Sequence, residues 1–201
     1  MASSCSVSQG KGAIGLLVEV KTHAAVLRDC VKSGAQYVRN TRAKLTTEQS
    51  YLAEMKAYCN ETRTAVRAGT LATLRFRPDV QELVKQSAAD QDRHFNDMRQ
   101  RVQDEFNSAA TQRSMWMSTA TAALHGAIGA AVSLTALQIL QAEELRADML
   151  AIYQDFVACA DDAKLLEEDL LRCGLDKVFL EQDYVEVVKL IQAENASRTP
   201  P

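Results

Sequence analysis

Two short constellations and a set of cysteines carry the residue types that do chemistry in this chain. Gly10-Lys11-Gly12-Ala13-Ile14-Gly15 has the spacing of a dinucleotide fingerprint, where glycines let a strand-to-helix turn approach a pyrophosphate. No strand pattern precedes it, so the segment reads as part of a loose Ser/Gly-rich leader over residues 1–13. Asp90, His94 and Asp97 share a helical face at spacings of four and three, which offers two carboxylates and an imidazole to a metal. A two-metal helical site wants Glu-x-x-His pairs on separate helices, and the chain has none. With Asp92, Arg93 and Arg99 alongside, that face reads as solvated charge.

The five cysteines, Cys5, Cys30, Cys59, Cys159 and Cys173, form no C-x-x-C pair and no short-spaced Cys/His set. An odd count at wide spacing points to free thiols and an intracellular chain. Cys5 and Cys30 lack a neighbouring base that would activate a thiolate, and no Gly-x-Ser-x-Gly or phosphate-loop motif is present. His23 and His125 stand alone, and His125 reads as a small-residue helix contact. The expectation is therefore a protein that is not an enzyme, with no cofactor, no metal and no identified small-molecule substrate.

The elements that would position any site are helices. In 201 residues, 47% are hydrophobic and 24% charged, with 8 Gly and 3 Pro, which excludes collagen-like, low-complexity and fully disordered chains. Counting in sevens from Leu17 gives Ala24, Val31, Val38, Leu45, Leu52, Cys59 and Val66, an unbroken apolar row that marks one long helix over about 15–68. The row three residues on (Val20, Leu27, Gly34, Thr41, Glu48, Met55, Thr62 and Gly69) is half polar. Gly69, and Arg77 before Pro78, mark a break.

A second row, out of phase with the first, passes through Ala88, Phe95, Val102, Ala109, Trp116, Ala123, Ala130 and Leu137 and predicts a helix over about 79–140. A third, through Ala142, Met149, Phe156, Ala163 and Leu170, is paired with Leu145, Ile152, Cys159, Leu166 and Cys173. It predicts a helix over 142–173, joined to the second by a stutter near Gln141 that needs no loop. Cys173-Gly174 reads as a helix end with Gly in the left-handed cap. A short helix over 176–194 and a disordered tail over 195–201 complete the chain. The fold class is all-α: a single elongated bundle of three to four long helices over 14–194, with coiled-coil-like heptad seams.

Charge is distributed unevenly. Residues 1–78 hold 12 basic and 5 acidic side chains, and residues 114–201 hold 6 and 14. The first-segment cations are scattered without aromatic interleaving, which argues against nucleic acid, and basic and acidic helices side by side would neutralise each other. Residues 114–142 carry no Asp, Glu, Lys or Arg, a length that suits either a membrane span or a helix buried all round. Ala122, Gly126, Gly129, Ala130 and Ser133 would permit close helix packing in either setting, and the buried reading is adopted.

Incomplete second rows on the first two helices suggest that one chain does not finish its own core. The expected function is a non-catalytic intracellular scaffold or assembly subunit, cytoplasmic, acting through coiled-coil faces at Val31, Val38, Leu45, Leu52, Phe95, Val102 and Trp116. Its partner would be another helical protein or a second copy in a homo-oligomer. The alternative is a membrane-associated helical protein, anchored by 114–142 or held on anionic lipid by its basic first helix; a mitochondrial location is the other compartment considered.

Overall fold

The computed structural model describes residues 12–71, 74, 78–134 and 139–198. Four helices follow in order: α1 (Ala13–Arg67), α2 (Pro78–Lys85), α3 (Ala88–Val132) and α4 (Ile139–Arg198). The protein is all-α. Three long helices pack as a bundle, and no strand occurs among the described residues. The expected leader lies outside the described residues up to Lys11, and Ala13 already opens α1.

Local chemistry explains each boundary. α1 stops where Gly69 takes a left-handed backbone, φ +69°. The Gly69 amide donates to the Val66 carbonyl at 3.1 Å and the Thr70 amide to the Ala65 carbonyl at 2.9 Å, the paired bonds of a Schellman cap. Pro78 opens α2, where its missing N–H costs no helical bond.

Three expected boundaries are corrected. The helix expected over 79–140 is divided at Gln86–Ser87, because Ser87 caps a new helix. Its Oγ accepts from the Asp90 amide at 3.3 Å and donates to Asp90 Oδ2 at 2.7 Å, which satisfies an amide that otherwise lacks a partner. At the other end α3 stops at Val132 rather than stuttering into α4. The Ser133 and Leu134 amides turn back to the Ala130 and Ala131 carbonyls, tightening the last turn, and the Ser133 hydroxyl donates to the Gly129 carbonyl at 3.2 Å. Finally, Gly174 is not a cap. α4 runs without interruption for 60 residues, replacing the separate helices over 142–173 and 176–194, and it carries residues 195–198 that were expected in the tail.

The chain divides into two compact units, Met1–Arg42 with Ser108–Glu167, and Ala43–Asn107 with Glu168–Pro201. In the first, Val20, Leu27, Ala120, Ala127, Met149 and Phe156 are wholly buried. His23 lies against Gly126 and Tyr37 against Trp116, so α3 runs antiparallel to α1. Gly34 meets Cys159 and Tyr37 meets Glu167, so α4 runs parallel to α1. The second unit repeats these directions and has its own core of Met55, Cys59, Tyr184, Val187, Val188 and Ile191. Here α2 is tied to α4 by Gln192 Nε2, which donates to the Val84 carbonyl at 2.9 Å.

Heptad rows map onto these cores unevenly. On α1 the half-polar row is the deeper one: Val20, Leu27, Met55 and Thr62 are at 0% exposure and Thr41 at 4%. Thr41 and Thr62 are thus taken up inside the chain, Glu48 is half-buried, and Gly34 lets α4 approach at Cys159. On α4 the row beginning at Ala142 is buried through Phe156 and Ala163, but its companion is the row of Ala160, Glu167, Gly174, Glu181 and Val188, not the one through Leu145. A helix packed against two neighbours buries a wider stripe than a two-stranded seam does.

Candidate functional site

Two buried carboxylates stand out against these apolar cores. Glu167 is 2% exposed in the first unit and Glu181 4% in the second. Both lie on the same row of α4, two heptads apart. Each meets a tyrosine of α1 that is itself two heptads from its counterpart: Tyr37 donates to Glu167 Oε1 at 2.9 Å, and Tyr51 to Glu181 Oε1 at 3.4 Å. α3 supplies the third member of each cluster. Arg113 Nε donates to Glu167 Oε2 at 3.1 Å, and His94 Nε2 lies 3.7 Å from Glu181 Oε2.

The first cluster is the tighter. Trp116 stacks edge-on against Tyr37, with ring centroids 4.8 Å apart, and closes the polar group beneath apolar surface. Burial, and then the hydrogen bond to Glu167, push the Tyr37 hydroxyl well above the usual tyrosine range. An isolated buried carboxylate would be expensive; here two charge-assisted donors compensate it. In the second unit Lys177 Nζ sits 4.5 Å over the Tyr51 ring and 3.3 Å from Glu48 Oε2, an ion pair without hydrogen-bond alignment. Each cluster ties three helices at one level, so each favours a single register of α1, α3 and α4.

Cys5 lies outside the described residues, and the four described thiols are poorly disposed to react. Cys30 and Cys59 are buried, and Cys159 and Cys173 are half-buried. Burial raises the Cys30, Cys159 and Cys173 thiols, and nearby carboxylates raise them further, Asp162 and Asp155 acting on Cys159. Asp90 is held by Ser87 and Arg93, and His94 faces Glu181, so the Asp90/His94/Asp97 face gathers no ligand set. Among the described residues no group of three or more His, Cys, Asp and Glu is placed to hold a metal.

The residues read from sequence as interaction positions are spread over both units. Val38 and Leu45 are buried at 9% exposure, while Val31 and Trp116 pack half-buried against the first core. Val102 packs on Gly174. Phe95 lies on α3, and its side chain is outside the described residues. Leu52 opens onto a groove of about 500 Å³, lined also by Ala53, Phe179 and Leu180. Of the close-packing set, Ala130 is buried and Gly126 meets His23, whereas Ala122, Gly129 and Ser133 are exposed. Besides Ala130, the buried small residues of α3 are Ala120, Ala123, Ala127 and Ala131. Because α3 ends at Val132, residues 114–142 are not one helix, and among the described residues no helix is long and apolar enough to cross a membrane.

Sequence reasoning passed over both carboxylate clusters. Their signal is the repeat itself, Tyr37 with Tyr51 and Glu167 with Glu181, each pair fourteen residues apart. No protein family, curated protein or solved structure matches this chain.

Proposed function

We propose that this chain is a non-catalytic, intracellular helical scaffold or assembly subunit that works through the outward faces of its long helices. The observation carrying this reading is the set of large aliphatic side chains left outside the core at the ends of charged helix faces. Ile14 and Val18 on α1 are 80% and 57% exposed, and Leu165 on α4 is 60% exposed. Single exposed aliphatics are ordinary; these continue rows whose other members are small or carry one sign of charge. Val38 and Leu45 belong to the cores, so the contact falls to exposed positions. Sedimentation of the intact chain over a range of concentrations, alone and with candidate helical proteins, tests the reading. A mass above that of one chain, or a stable mixed complex, is expected; a monomer that binds no helical protein would sink it.

One observation favours a second reading. Lys21, Arg28, Lys32 and Arg39 are exposed on the same face of α1 as Ile14 and Val18, an arrangement that suits an anionic bilayer surface. Flotation with anionic and neutral vesicles tests it, and binding that persists in high salt or needs no anionic lipid contradicts it.

A further inference from the structure

Within the first unit the outward faces of α1 and α4 are complementary in charge sign and in spacing. From the N-terminal end, the α1 face reads Val18, Lys21, Ala25, Arg28, Lys32, Ala35 and Arg39, in steps of three and four. All but Ala35 are exposed, and Ala35 is half-exposed. The α4 face reads Glu144, Asp148, Ala151, Asp155, Ala158, Asp162 and Leu165, all exposed. No ion pair joins the two sets within the chain among the described residues. Lys32 pairs only with Asp29 of its own helix at 3.6 Å, both side chains more than three-quarters exposed, a contact worth little.

Resting on the assembly reading above, we propose that the partner is a second copy of this chain, with α1 of one copy lying antiparallel on α4 of the other. Run in opposite directions, the two faces keep step throughout. Val18 meets Leu165, Lys21 meets Asp162, Ala25 meets Ala158, Arg28 meets Asp155 and Arg39 meets Glu144. Lys32 and Asp148 fall one step apart, within reach of a lysine side chain. Run in the same direction, the steps of three and four fall out of phase, Val18 meets Glu144, and Arg39 meets Leu165. The alanines let the helices approach closely, and the flanking charges set partner and direction, as at the edges of a coiled coil. The two faces differ, so the contact is heterologous and links copies in series.

Charge reversal with rescue tests this contact. Lys21→Glu with Arg28→Glu sets carboxylates opposite Asp162 and Asp155, and Asp155→Lys with Asp162→Lys sets ammonium groups opposite Arg28 and Lys21. Each variant alone should lose self-association by on the order of a hundredfold in dissociation constant, since like charges then face one another. An equimolar mixture should recover it to within about tenfold of the original. Because every substituted side chain is exposed, circular dichroism should be unchanged; Lys21→Gln with Arg28→Gln gives the milder loss if a reversal fails to fold. In mixtures, a disulfide between Val18→Cys and Leu165→Cys chains, identified by peptide mass, is expected. A disulfide between Val18→Cys and Glu144→Cys in its place overturns the register. Self-association that survives both reversals overturns the inference while leaving the assembly reading intact. A native chain that is monomeric at every concentration overturns it too, and the assembly reading then depends on a different helical protein. Loss of anionic-vesicle binding in the Lys21/Arg28 variant, with an unchanged mass, overturns it in favour of the lipid reading.

Discussion

Glu167 has one exposed route to compensation, and it runs through Arg113. The carboxylate is almost wholly enclosed, while Arg113 retains 24% of its side-chain exposure. Arg113→Leu therefore strands a buried charge, and chemical denaturation should show a loss of about 3 kcal/mol. Replacing Glu167 and Arg113 together by leucine should cost clearly less, with the Tyr37 hydroxyl then the group left to satisfy. Equal losses in the single and double variants would mean that the ion pair is not what the cluster depends on. The same cluster sets a pH response. Tyr37 is raised in the folded chain, so its contribution is complete below the ordinary tyrosine value and is lost as pH climbs above it. The raised Cys30, Cys159 and Cys173 thiols act in the same direction from the usual 9.0 upwards. Stability should be flat through neutral pH and fall above about pH 9. Tyr37→Phe should lower the plateau and make that fall shallower; a fall as steep as in the parent chain would exclude Tyr37 as a source.

At the scale of the helices, glycine separates two roles. A Cβ built on Gly174 would come 2.6 Å from Val102 Cγ1, and valine has little rotamer freedom with which to retreat. Gly129 is helical too, yet nothing lies within 4 Å of its Cβ position. Gly129→Ala should stabilise by roughly 0.5–1 kcal/mol, while Gly174→Ala should destabilise by about 1–2 kcal/mol as overpacking outweighs helix propensity. Opposite signs in thermal melts would support the assignment; a stabilising Gly174→Ala would show that α3 and α4 can part there. This pair also shows what a sequence conveys. The α1 boundaries and its Gly69 end were legible because heptad period and a left-handed glycine are local properties. Gly174 was misread as a cap because a glycine needed for close approach and one needed for a turn look alike until the partner helix is known. Ser87 was legible in principle, as a serine three residues before Asp90, but an unbroken apolar row drew the helix straight through it. The carboxylate clusters lay outside the apolar rows being counted, and burial of a charge is decided by residues more than a hundred positions away.

At the scale of the whole chain, two cores share three helices. α1, α3 and α4 each pass from one unit to the other without a break in their hydrogen-bond ladders. Unfolding one unit alone would leave three helix ends without packing, and long helices keep little stability once their apolar face is exposed. The two units should therefore unfold together. The sequence supplies the probe, since Trp116, its one tryptophan, reports from the first unit, where it packs on Tyr37. Met55 is at 0% exposure in the second core, so Met55→Ala removes packing far from the reporter and should cost about 2–5 kcal/mol. If the helices carry stability across the unit boundary, Trp116 fluorescence and far-ultraviolet circular dichroism will shift together to lower denaturant in that variant. If the Trp116 transition stays where it was while helicity is lost in two steps, the units are independent folding bodies. In that case the carboxylate clusters set register separately in each, and a partner bound to one face would leave the other unit unaffected.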